Sequence, residues 1–174
     1  MDDTRSNPTR SLILDFISSH PGTSAREIQR SLALAWGETS YHLNQLLRSA
    51  AIRRDRRSWR DYFFPAGFPI EDQRILTAFQ GEAERAVLVS LSQEPEQSFL
   101  ELMVGLKMSR SHLSLHLRLL LATNLIGLDP TRSPHRYYAL HPERVLFLYR
   151  TYRRSWGDRW IDRFATAFSG IIRP

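Results

Sequence analysis

The sequence predicts a mainly α-helical fold carrying small β-hairpins, an α+β class, built from two copies of one unit. Three observations predict it. First, the stretch Ser24 to Ile52, SAREIQRSLALAWGETSYHLNQLLRSAAI, returns 74 positions later between Ser98 and Ile126. Ser24, Glu27, Ile28, Leu32, Ser40, His42-Leu43, Leu46-Leu47 and Ile52 correspond to Ser98, Glu101, Leu102, Leu106, Ser114, His116-Leu117, Leu120-Leu121 and Ile126. A single offset over such a span is the signature of an internal repeat. Second, Ser24 with Glu27 and Ser98 with Glu101 have capping-box spacing, which marks a helix start in each copy. Third, each copy runs into a short apolar strand, a polar loop and an aromatic strand, Tyr62-Phe63-Phe64 or Tyr137-Tyr138.

Taken in order, residues 1–9 read as a frayed tail. A helix from about Arg10 to Ser19 follows, with Leu12, Ile13, Phe16 and Ile17 on one apolar face, and stops at the breaker His20-Pro21-Gly22. The capped helix after Ser24 places Ile28, Leu32 and Leu34 inward. Ala35-Trp36-Gly37 reads as the break before a second helix that buries Thr39, Leu43, Leu46 and Leu47. His42 borders both faces and reads as a partly buried structural residue or a contact to phosphate or base. The second copy repeats this with Val87, Leu88 and Leu91, then Leu102, Val104 and Leu106, the break Lys107-Met108-Ser109, and Leu117, Leu120 and Leu121.

Helix, helix, strand, loop, strand is the order of a winged helix-turn-helix, and the boundaries follow: a first unit over 1–69, a linker helix over 70–81, a second unit over 82–141, and a helical dimerisation or packing section over 142–174. In the linker, Ile75, Leu76 and Phe79 share a side. Pro142 suits the first turn of the last section, whose apolar residues include Val145, Leu146, Leu148, Tyr149 and Tyr152. Its dimerisation candidates are Leu146, Tyr149, Trp156, Trp160, Phe164 and Phe168. Lying on a membrane is the alternative for so basic and amphipathic a segment.

The runs TSYHLNQLLRSAAI and SRSHLSLHLRLLLATNLI, with their basic hairpins, make residues 10–140 resemble the ArsR-type winged-helix regulators, above all their tandem archaeal relatives. The resemblance implies double-stranded DNA as a partner, a homodimer, and C-terminal helices that join the two subunits. In metal-sensing members, the helix before the recognition helix carries thiolate ligands. The matching stretch, Glu101 to Leu106, has no cysteine, which speaks against soft-metal sensing by that route.

Charge sharpens the expected interface. The net charge is +6, from 24 basic and 18 acidic residues. By segment it is +3 over residues 1–70, −3 over 71–130 and +6 over 131–174. The sharpest signal is Arg53-Arg54-Asp55-Arg56-Arg57-Ser58-Trp59-Arg60, expected at a hairpin tip beside the recognition helix, where arginine can line phosphates or enter the minor groove. Trp59 is expected to pack this wing on the body.

The expected DNA contacts of the first unit are Glu38, Ser40, Tyr41, Asn44, Gln45 and Arg48 with Arg53, Arg54, Arg56, Arg57 and Arg60. Those of the second are Arg110, Ser111, His112, Ser114 and Arg118 with Arg132 and Arg136. The second recognition helix is apolar nearly all round, with Leu113, Leu115 and Leu119 added, and so is expected to be buried on more than one side.

The absence of cysteine excludes disulfides and thiolate sites. No run is long and apolar enough to span a membrane, so the default location is cytoplasmic, with the nucleoid. No Gly-rich phosphate loop, HExxH or GxSxG occurs, and neither an enzyme nor a cofactor is expected. His112 and His116 are four apart on a helix, a spacing that can bind metal, but no nearby carboxylate is evident in the sequence. The rival to a regulator is an adaptor that binds proteins of the transcription or chromosome machinery through its leucine-rich second unit.

Overall fold

The computed structural model describes residues 7–57 and 60–152, the side chain of Arg57 excepted. The chain divides into two compact units, Met1–Thr77 and Ala78–Pro174.

In the first unit, α1 (Pro8–Ser19) opens two residues earlier than apolar spacing alone places it. The Asn7 side chain accepts from the Arg10 amide at 3.1 Å, and proline fits the first turn, where no amide partner is needed. β1 (Thr23–Ser24) leads into α2 (Ala25–Ser31), whose capping box is formed at both ends by Ser24 and Glu27. The chain turns through Ala33 at φ 53° and enters α3 (Trp36–Arg48). Trp36 is therefore helical, not part of the break. A left-handed residue, Ala50, ends the helix and starts β2 (Ile52–Arg57), which pairs antiparallel with β3 (Arg60–Pro65). β3 lies in the centre of the sheet order β1-β3-β2.

Ile13, Ile17, Ile28, Leu43, Leu46, Ile52 and Phe63 form the core. α4 (Ile70–Phe79) crosses the boundary between the units and buries Ile75, Leu76 and Phe79.

The second unit repeats every element at the same offset: α5 (Glu82–Gln93), β4 (Gln97–Ser98), α6 (Phe99–Gly105), α7 (Arg110–Ala122), β5 (Ile126–Asp129) and β6 (Arg136–Ala139), with sheet order β4-β6-β5. Lys107 and Asn124 take the left-handed turns that Ala33 and Ala50 take in the first unit. Its core residues Val87, Leu91, Leu102, Leu117, Leu120 and Ile126 stand where Ile13, Ile17, Ile28, Leu43, Leu46 and Ile52 stand. One more helix, α8 (142–152), buries Val145 and Leu148. The fold is thus mainly helical with two small antiparallel sheets, two winged-helix units in sequence.

Helical spacing overstates burial at four positions. Leu12, Val104, Leu115 and Leu119 are exposed. Each lies at the edge of its apolar stripe, and among the described residues no element of its own unit covers it. Among the described residues no helix is long and apolar enough to cross a membrane.

Candidate nucleic-acid interface

α3 has one buried face and one open face. Thr39, His42, Leu43 and Leu46 are buried, and the Thr39 hydroxyl donates to the Ala35 carbonyl at 3.0 Å in the first turn. Gly37, Glu38, Tyr41, Asn44 and Arg48 are exposed, while Ser40 and Gln45 are half-buried. Glu38 accepts from the Thr9 hydroxyl at 3.2 Å, so its carboxylate is held back toward α1. His42 is buried: its Nδ1 has no hydrogen-bond partner, and its ring meets Tyr41 edge-on at 5.1 Å.

Most of the arginine run lies in the paired strands of the hairpin rather than in a loop at its tip. Arg53 to Arg57 lie in β2 and Arg60 begins β3, with Arg57 opposite Arg60. Strand alternation separates them. Arg54 pairs across the ladder with Phe63, and Arg56 with Asp61, on the face that carries Ile52 and the core. Both are exposed, and both approach the one Asp61 carboxylate, at 3.5 and 3.9 Å. Two guanidinium groups on one carboxylate leave a net positive charge. Such exposed pairs are weak enough to exchange for phosphate.

Arg53 and Asp55 face the other way. Arg53 is half-buried and donates to the Phe68 carbonyl, and Asp55 accepts from the Thr77 hydroxyl at 2.8 Å. Arg53 is thus occupied in bracing the unit. Trp59 lies outside the described residues.

α2 adds a cleft that the apolar pattern did not single out. Arg26, Gln29, Arg30 and Trp36 line a space of about 600 Å³. Arg26 and Arg30 are four apart on a short helix, and Trp36 stands exposed at the start of α3. The i, i+4 arginine pair was the available signal.

The second unit differs. Arg110, Ser111, His112 and Arg118 are exposed and Ser114 is half-buried. Arg110 lies over the Phe99 ring at 5.7 Å. Its wing arginines have acidic partners: Arg132 reaches Glu96 at 2.5 Å and Asp129 at 3.6 Å, while Arg136 contacts the Glu101 carboxylate and the Glu96 carbonyl. Hydrogen bonds from the Ser98 backbone amide, helped by Arg136, hold the Glu101 carboxyl below its usual range. Thr131 does the same for Asp129.

His116 does have a carboxylate beside it, contrary to the sequence reading. Its Nδ1 lies 3.4 Å from Oε1 of the buried Glu84, and the His112 ring is 4.5 Å from the His116 ring. Glu84 is 32 positions away in sequence, on α5, so linear spacing could not disclose it. No group of three His, Cys, Asp or Glu able to hold a metal occurs among the described residues.

Of the dimerisation candidates, Leu146 and Tyr149 are half-buried on α8, and Tyr149 meets Phe79 edge-on at 6.1 Å. Trp156, Trp160, Phe164 and Phe168 lie outside the described residues.

In sequence the chain is similar to known helix-turn-helix proteins. The family model HTH_HVO_0163_N, an N-terminal HTH domain, matches residues 7–76. The HTH-type transcriptional regulator YgaV of Escherichia coli (strain K12) is 34% identical over 86 residues, covering 49% of this chain and 73% of YgaV. The crystal structure of MarR family transcription regulator SP03579 aligns at 23% identity and a TM-score of 0.39, covering 57% of this chain and 66% of its own. A first unit with an open, polar recognition helix and an arginine-bearing hairpin, together with the likeness to YgaV, places this chain in the helix-turn-helix family of DNA-binding transcriptional regulators.

Proposed function

We propose that the protein is a sequence-specific regulator whose first winged helix reads double-stranded DNA. The observation that carries this reading is the shared exposure of Tyr41, Asn44 and Arg48 on α3 with Arg54 and Arg56 on the hairpin. α3 enters the major groove, where Asn44 and Gln45 suit adenine and Arg48 suits guanine. Arg54 and Arg56 take the adjacent phosphates or minor groove, and Arg26 and Arg30 extend the positive surface. Glu38 and Ser40 border the site, and Arg53 supports it from behind. A homodimer would present two such units to a two-fold operator. No cofactor enters the scheme.

The test is binding of the protein's own upstream region against random duplex at two salt concentrations. Specific binding that survives about 150 mM salt supports a regulator. Equal, weak binding to both duplexes that vanishes with salt overturns it.

A second reading, a protein-binding adaptor of the transcription or chromosome machinery, is favoured by the second unit. There the arginines that match a DNA-binding wing lie against acids, and leucines stand exposed on the recognition helix. An adaptor would show no preference between the two duplexes.

A further inference from the structure

The two units carry opposite chemistry on one face. Positions related by the repeat can be compared directly, because every element is superposed in sequence at the same offset. Arg26, Arg30, Tyr41 and Gln45 of the first unit correspond to Leu100, Val104, Leu115 and Leu119 of the second. These four are not core residues: they are 62%, 65%, 49% and 40% exposed. The helix-turn-helix face that is polar and cationic in the first unit is aliphatic in the second. Exposed aliphatic side chains gathered on one face, rather than scattered singly, are often functional on a folded protein.

We propose that the α6–α7 face of the second unit is the docking surface for a second copy of this chain. The charges around it identify the occupant. Residues 105–122, the turn and α7, carry the exposed cations Lys107, Arg110 and Arg118 and no acid. The α6 side carries the exposed acids Glu94, Glu96 and Glu101, backed by Arg132 and Arg136 from the hairpin. With three acids against two arginines the α6 side is net acidic, and the α7 side is net cationic.

A two-fold axis through such a surface sets the acidic edge of one copy against the cationic edge of the other, and leucine against leucine. That is the self-complementarity an isologous contact requires. DNA would bring phosphates onto four aliphatic side chains. Residues 153–174, with five arginines and two aspartates, would bring further cations to α7. The proposal stands independently of whether the first unit reads DNA.

The test is the mass of the full-length chain by sedimentation equilibrium without DNA. The wild type is expected to be dimeric at low micromolar concentration. Val104→Glu and Leu115→Asp should each raise the dimer Kd at least about tenfold, as removal of an interface anchor does. Arg118→Glu should weaken the dimer, and Glu94→Arg added to it should restore much of the loss. Leu115→Gln, with helicity checked by circular dichroism, covers the case in which the acidic variant fails to fold.

A monomeric wild type overturns the proposal. So does a dimer that survives both Val104→Glu and Leu115→Asp. Loss of the dimer in Trp160→Glu alone, with Leu115→Asp still dimeric, would place the contact on the C-terminal segment and overturn it equally. Binding of a single half-site by the first unit is measured separately, so failure of the DNA reading is distinguishable.

Discussion

The Thr77 hydroxyl donates a 2.8 Å hydrogen bond to the Asp55 carboxylate, tying α4 to the middle of the hairpin. Thr77 is buried and Asp55 half-buried. Replacing Thr77 by Val removes the donor and leaves an acceptor short of a partner. The expected loss is about 1 to 2 kcal/mol of unfolding free energy, read by urea denaturation. Asp55→Asn keeps an acceptor and removes a negative charge from the strand that carries Arg54 and Arg56. It should cost less stability and tighten DNA binding at low salt. Equal loss of stability in both variants would contradict this account.

The strand register divides the arginines by role. Arg54→Ala with Arg56→Ala should leave stability nearly unchanged and flatten the salt dependence of DNA binding by up to about two units of slope. Arg53→Ala, which removes a donor to the Phe68 carbonyl, should instead lower stability by about 1 kcal/mol or more. Fluorescence anisotropy at several salt concentrations, paired with thermal melts, separates the two classes. A flattened slope in the Arg53 variant without a change in melting would reverse the assignment.

Asn44 lies on the exposed face of α3. Asn44→Ala should change which base is preferred at one operator position, by about 1 to 3 kcal/mol of discrimination, while binding to random duplex stays within a factor of two or so. Competition with single-base operator variants reads this. Parallel weakening on every sequence would remove Asn44 from base recognition.

Glu101 sets an acid limit on the second unit. Its carboxyl is depressed from the ordinary 4.5, first by the Ser98 backbone amide and then by the Ser98 hydroxyl, with Arg136 also contributing. A carboxyl with a depressed folded-state value adds stability that is fully present above the ordinary value. That stability is lost as pH falls from there through the folded-state value. Glu101→Gln should therefore melt lower than wild type near pH 7, and the gap should close progressively as pH drops below 4.5. A gap that does not change with pH would show that the charge of Glu101 contributes nothing.

Much of the architecture was legible because it is written in local patterns. The Ser24 and Ser98 capping boxes form as spacing predicts, since a hydroxyl and a carboxylate three residues on can reach the same helix end without help from distant parts of the chain. The recurrence of Ile28 as Leu102 and Leu46 as Leu120 marks the same core in both units. The exposed row Glu38, Tyr41, Asn44 and Arg48 follows from helical periodicity once Thr39, Leu43 and Leu46 are inward. The hairpin was read less well. The arginine run looked like a loop because charge is rare in strands, whereas pairing with the aromatic strand extends β2 through it.

The sequence by itself determined the repeat, the order of elements, the caps and the inward stripes, all of which depend on residues a few positions apart. Tertiary structure alone decided which side chains at the margins are used, and how. Leu115 and Val104 stay exposed because burial depends on what stands opposite, and none of the described elements of their unit does. Arg53 is braced against Phe68 while Arg54 is not, because successive strand residues face opposite sides. His116 acquires Glu84, and Arg136 acquires Glu101, only when helices and strands far apart in sequence are packed together. A contact of that kind depends on two segments at once, and no single stretch of sequence contains it.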